Sequence, residues 1–156
     1  EGVVFDNWSI GEFNPDNLQT SCGMDFGFSV DPDSLTEVAI DKKHKKIYLK
    51  EHIYRNGLKS QELAQIVLDK VGQSLIIADS AEPRLIADLR YLGVNIKPVK
   101  KGTIESGITR MQDYHLVVNM VVYFSPFCFE PHIFQILLYN LFFFQIVQQN
   151  NQKYSF

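Results

Sequence analysis

Residues 74–83 read Ser-Leu-Ile-Ile-Ala-Asp-Ser-Ala-Glu-Pro. The apolar run 74–78 suits a central strand covered on both faces, which has no need of polar alternation. It ends on Asp79, and Pro83 stands where a helix can open, because the donor that proline lacks goes unused in a first turn. Upstream, Leu63, Ile66, Val67 and Val71 recur at helical spacing, with Ser60 as a cap and Gly72 as a stop. Earlier still, 22–28, 36–40 and 45–52 predict a three-stranded antiparallel meander. Val38, Ile40, Ile47 and Leu49 are in period-two phase there, and Asp31-Pro32-Asp33-Ser34 and Asp41-Lys42-Lys43-His44 supply the breaks. Downstream, a helix over 83–93 through Ile86 and Leu89 leads to a strand at 95–99, a helix over 103–111 and a short strand at 115–118. The order is that of an α/β domain. Residues 1–20, with the turn cluster Asn14-Pro15-Asp16-Asn17, read as a linker or an edge segment.

A chain of 156 residues suffices for one domain with a substantial core. Its formal charge of -3 excludes binding of nucleic acid by bulk charge, so any polyanion contact must be local. Cys22 and Cys128 show neither CxxC nor Cys/His spacing, which points to reduced thiols in a cytosolic compartment. The opening Glu-Gly-Val-Val-Phe-Asp-Asn-Trp has no secretory pattern and reads as the interior of a longer protein. Beyond residue 115 the only charged side chains are Glu130 and Lys153. Residues 119–156 therefore read as an atypical apolar tail, suggestive of an aberrant junction. Its apolar run, 132–147, falls short of the about 20 residues a membrane helix needs, and no membrane contact is expected.

Two acids stand where structure alone would not put them: Asp25 inside the first apolar strand, and Asp79 at the end of the most apolar one. Were those strands neighbours, the carboxylates would converge, and a divalent cation would relieve their repulsion. Carboxylate oxygens suit magnesium or manganese, and two such ions support phosphodiester hydrolysis. The structural alternative is two unrelated acids at strand edges. Glu82 serves equally as favourable charge at a helix N-terminus, and Asp31 and Asp33 beside Pro32 as turn formers. Lys42, Lys43, Lys45 and Lys46 form one basic cluster and Lys97, Lys100 and Lys101 a second; either can hold phosphates without reading sequence. Arg84, Asp88 and Arg90 read as exposed helix surface, Trp8 and Tyr91 as packing residues, and Cys22 as a small buried hydrophobe. His44, His52 and His115 lack metal-ligand spacing.

Three blocks, Gly23-Met24-Asp25-Phe26-Gly27-Phe28-Ser29, Ala78-Asp79-Ser80-Ala81-Glu82-Pro83 and Lys100-Lys101-Gly102-Thr103-Ile104-Glu105-Ser106-Gly107-Ile108, resemble the nuclease domain of tailed-phage terminase large subunits. The likeness runs from about Val3 to Val118. It implies a ribonuclease-H-like mixed sheet of five strands, three antiparallel and two parallel, flanked by helices. It also implies a domain layout: 1–20 a linker from an ATPase domain, 21–118 the nuclease, 119–156 the tail. The implied activity is metal-dependent cutting of concatemeric viral DNA during packaging, with two magnesium or manganese ions. Asp25 and Asp79 would be metal ligands, Glu82 an outer ligand or water-orienting group, and Lys97, Lys100 and Lys101 DNA contacts. Implied partners are double-stranded DNA, the ATPase domain, the portal and the small terminase subunit, in the host cytoplasm. Two departures stand out. The family's third acid, on a late Asn-His-x-x-Asp-Ala-x-Arg-Tyr helix, has no counterpart in 116–156, which keeps open a catalytically incomplete remnant that only contacts DNA or docks. No Gly-x4-Gly-Lys-Ser/Thr loop is present, so the packaging motor is not in this chain.

Overall fold

The alternating stretches form the middle of the sheet. β2 (Thr20–Asp25), β3 (Asp33–Asp41) and β4 (Lys46–Arg55) make the expected antiparallel meander. The computed structural model describes residues 6–27, 31–99, 109 and 111–119. The continuous apolar run becomes β5 (Ile76–Asp79), which lies parallel to β2, and β6 (Ile96–Val99) lies parallel to β5. Helix α1 (Ser60–Val71) joins the meander to β5, and α2 (Pro83–Tyr91) makes the crossover to β6. The sheet has seven strands rather than five. β7 (His115–Asn119) adds parallel to β4, and β1 (Trp8–Ile10) adds parallel to β7, giving the order β1-β7-β4-β3-β2-β5-β6.

Both faces are buried, as a parallel strand in mid-sheet requires. On one, Cys22, Met24, Ile76 and Ala78 meet Leu63 and Val67 of α1 and Ile86 and Leu89 of α2. On the other, Val38, Ile47, Leu49, Leu116 and Val118 are each at most 2 % exposed. Proline opens α2 as the sequence predicts. Gly72 ends α1 at φ 57, a left-handed conformation that glycine adopts without a Cβ penalty.

Two local expectations are corrected. Ser60 is the first helical residue rather than the cap; Lys59 holds that position, with no side-chain hydrogen bond. Tyr91 is 92 % exposed. At 3.6 residues per turn it lies about 200° around α2 from the buried Leu89, so the stripe that buries Ile86 and Leu89 turns Tyr91 to solvent. The expected helix over 103–111 lies outside the described residues apart from Thr109 and Met111, the latter buried; residues 120–156 lie outside them altogether.

The two α2 residues give opposite outcomes on truncation. Leu89→Ala is expected to destabilise the domain by about 2–5 kcal/mol in urea unfolding, whereas Tyr91→Ser should leave stability within about 0.5 kcal/mol.

Candidate functional site

The parallel ladder between β2 and β5 pairs Cys22 with Ile76, Gly23 with Ile77 and Met24 with Ala78. One step further along this register, Asp25 stands beside Asp79, each the last residue of its strand. Side chains alternate, and Met24 and Ala78 face the helices. The two carboxylates therefore share the opposite face, at the carboxyl ends of adjacent strands. Both are only partly buried. Asp79 accepts a hydrogen bond from the Ala81 amide at 3.2 Å, which steadies its carboxylate at the turn into α2. Directly across from Asp25 on β3 is the buried Ser34.

The other expected residues are distributed around this pair. Glu82 is the residue before α2 and accepts the Ile86 amide on its backbone oxygen at 3.1 Å. It is at the carboxylate end of the sheet, although α2 packs on the face opposite the pair. Asp33 opens β3 and is 7 % exposed. Its Oδ1 accepts the Gly27 amide at 2.9 Å, closing the loop next to Asp25. Burial holds its carboxyl above the ordinary range, partly offset by that bond. Gly27 has no room for a side chain, because a Cβ there would overlap the Asp31 carbonyl. Lys97 is exposed on β6 opposite Ile77, two residues from Val99, the partner of Asp79; it is thus on the carboxylates' face. Lys100 and Lys101 lie outside the described residues.

The hairpin lysines belong elsewhere. β3 runs away from Asp25 for nine residues, so Lys42, Lys43, Lys45 and Lys46 sit about 25 Å from the carboxylates, at the other end of the sheet. The tip is tied locally: Asp41 accepts the His44 amide at 3.0 Å and meets the His44 ring Nδ1 at 2.6 Å, and the Lys45 ammonium lies 5.0 Å from the centroid of Tyr114.

One buried acid escaped the sequence reading. Glu51 pairs with Thr36, which pairs with Gly23, so it faces the same side as Asp25 and Asp79, two strands over from β2 and one row back. It is 4 % exposed, and burial pushes its carboxyl up to about 7. The signal was present, since Glu51 follows Ile47 and Leu49 in the same phase. A bulge then intervenes, with His52 as the extra residue between Thr36–Glu51 and Leu35–Ile53. His52 Nε2 lies 2.8 Å from Glu37 Oε2, a bond that holds Glu37 below the ordinary carboxylate range. Cys22 is 1 % exposed, and burial, then Glu37, raises its thiol to about 12, so it is inert as a nucleophile.

Residues 25–126 match the family model described as the terminase RNase H-like domain. The chain belongs to that family. It is 31% identical over 123 residues to the terminase large subunit of Bacillus phage SPP1 and 32% identical over 80 residues to the PBSX phage terminase large subunit of Bacillus subtilis strain 168. It spans only 28% and 18% of those two proteins respectively. Among solved structures it resembles the SPP1 large terminase nuclease domain with bound Mn, at 28% identity and a TM-score of 0.63, covering 84% of this chain and 77% of that one. It shares its fold with the P22 large terminase nuclease domain, at 16% identity and a TM-score of 0.64, covering 88% and 78%. The fold expectation therefore holds, with β7 and then β1 added beyond β4. Among the described residues no group of three or more His, Cys, Asp or Glu side chains is placed to hold a metal, and no helix is long and apolar enough to cross a membrane.

Glu51 makes stability depend on pH in a definite direction. Its folded pKa is raised above the ordinary value of 4.5 to about 7, so its contribution is complete below the unfolded pKa and fades as pH rises through the folded one. Urea unfolding between those limits should show stability falling by up to about 1.4 kcal/mol per pH unit, with Glu51→Gln flattening that slope. The lowered Glu37 acts at more acidic pH, where its contribution is lost as pH falls through its folded pKa.

Proposed function

We propose that this domain is the nuclease of a phage terminase large subunit, hydrolysing phosphodiester bonds of concatemeric viral DNA during packaging in the host cytoplasm. The observation that carries this reading is the β2–β5 register that brings Asp25 beside Asp79, in a family with a similar structure that holds manganese. Carboxylate oxygens are hard donors of the kind that magnesium and manganese take, so this pair fits such ions and would hold them. Bound there, a pair of divalent ions would supply an activated water and charge stabilisation at the leaving oxygen.

The chain's own residues prepare that chemistry. Asp25 and Asp79 concentrate negative charge at one edge of a largely apolar face. The Ala81 amide orients Asp79, and the Gly27–Asp33 bond fixes the loop beyond Asp25. Glu82, at the same end of the sheet, is the group to orient water or serve as an outer ligand. Lys97 meets the DNA backbone by charge, joined by Lys100 and Lys101 further along the chain. Such contacts position a duplex without reading its bases, so sequence preference should be weak. The ATPase domain, portal and small terminase subunit are the partners this role calls for.

The second reading, a remnant that contacts DNA without cutting it, is favoured by one sequence fact: after Val118 the only acid is Glu130. Nicking of supercoiled plasmid with manganese separates the two. The parent is expected to nick, and Asp25→Asn and Asp79→Asn are each expected to lower the rate by more than about 100-fold, beyond what loss of an outer partner costs. Calorimetric titration should show manganese binding abolished in the same variants. A folded parent that never nicks would establish the remnant.

A further inference from the structure

β1 is the outer strand of the sheet, and main-chain bonds already hold it to β7: the Leu116 amide donates to the Asn7 carbonyl at 2.9 Å and the Gly11 amide to the Val118 carbonyl at 3.1 Å. A further chain of bonds runs through side chains. The His115 ring stands between Asn7 and Ser9, with Nδ1 2.6 Å from Asn7 Oδ1 and Nε2 2.8 Å from Ser9 Oγ. An amide oxygen only accepts, so Nδ1 carries the ring proton and donates to Asn7. Nε2 is then left with its lone pair, and the Ser9 hydroxyl donates to it. A serine hydroxyl bonded to an unprotonated imidazole nitrogen, with the other ring nitrogen anchored on a fixed acceptor, is the arrangement that makes a weak nucleophile reactive.

This relay has an open side. Asn7 is exposed and Ser9 and His115 are partly buried, on a strand that ends the sheet among the described residues. Asn7 and Gly11 direct these main-chain groups to β7, so by the alternation of a strand Ser9 does too, and the Ile10 amide points to the free edge. The amide that follows a nucleophilic serine is a donor for the oxygen that gains charge when a carbonyl is attacked. Trp8 pairs with Leu116 and Leu116 with Ile47, on the carboxylate face. Ser9 and His115 are therefore on the opposite face, and His115 pairs with Lys46 at the hairpin end, the end remote from Asp25 and Asp79. The nuclease reading makes no use of them.

We propose that Ser9 is a nucleophile for acyl transfer, with His115 as its general base and Asn7 as a positioning residue, and that the site takes small activated carboxylic esters. Ser9 Oγ bonds to the ester carbonyl carbon as its proton passes to His115 Nε2. The bond to the leaving oxygen then breaks, and that oxygen takes the proton from Nε2 as the alcohol departs. Water repeats the course on acyl-Ser9 and returns the free hydroxyl, so that ester plus water gives carboxylic acid plus alcohol.

The full chain incubated with a tagged fluorophosphonate tests this. Peptide mass spectrometry is expected to find the phosphonyl group on Ser9, with fluoride and the hydroxyl proton lost. Ser9→Ala should be unlabelled and should lose most of the parent's hydrolysis of p-nitrophenyl acetate. His115→Gln is expected to slow labelling by about 100-fold or more, as removal of a general base does. Asn7→Asp keeps an acceptor for Nδ1 and should stay labelled, with the pH profile moved to higher pH because a carboxylate favours the protonated ring. A merely structural Asn7 would leave that profile where it is. Circular dichroism checks the fold of each variant; Ser9→Ala removes a single oxygen atom, and if His115→Gln fails to fold, the Asn7→Asp profile decides the role of the ring. No adduct on Ser9 in the folded parent would overturn the proposal. So would an adduct that forms as fast in urea, where the relay is gone, an Asn7→Asp profile that does not move, or ester hydrolysis that Ser9→Ala leaves unchanged.

Discussion

The parallel ladder between β2 and β5 joins strands separated in the chain by the rest of the meander and by α1. It buries Cys22, Met24, Ile76 and Ala78 beneath two helices, and the same alternation turns Asp25 and Asp79 to the other side. A one-residue slip would exchange these faces, putting carboxylates under the helices and methyl groups at the strand ends. Apolar burial is thus what enforces the proximity of two like charges. The register that sets this proximity is fixed by side chains elsewhere along the strands.

How much of this could be read in advance depended on whether a residue's placement is local. Asp25 and Asp79 were legible because each interrupts an apolar run, and Pro83 because its geometry suits only a first turn. That the two acid-bearing strands are neighbours is a non-local fact, and periodicity carries no information about it; the family resemblance implied a mixed sheet, and the register supplied the pairing. β1 was read only as linker or edge, since three residues are too few to show a period. Tyr91 was misjudged because an aromatic residue near a helix end looks like packing until its angle from Leu89 is counted. Glu51 was legible and overlooked: it sits in phase with Ile47 and Leu49, where its charge is the anomaly.

The bulge at His52 divides the titrating groups of β4 between two environments. Before it, Glu51 is turned to the carboxylate face, where burial raises its carboxyl to about 7. Beside it, the His52 ring reaches Glu37 and keeps that acid charged. The two carboxyls are shifted in opposite directions, Glu51 by burial and Glu37 by its bond to the bulge residue His52, and re-aiming a side chain in this way is a usual use of bulges. Cys22, paired with Glu37 across the ladder, is left as packing.

At the other edge, the His115 ring clasps the first strand: Nδ1 donates to Asn7 Oδ1 at 2.6 Å, and Nε2 lies 2.8 Å from Ser9 Oγ. The bond to Ser9 spans 106 positions of the chain. Bonds of that span form only after intervening segments have collapsed, since the loop-closure entropy must be met before the pairing rewards it. The domain is therefore expected to fold slowly for its size, from the local meander outward, with β1 adding last and, as the shortest strand on an outer edge, the first to fray.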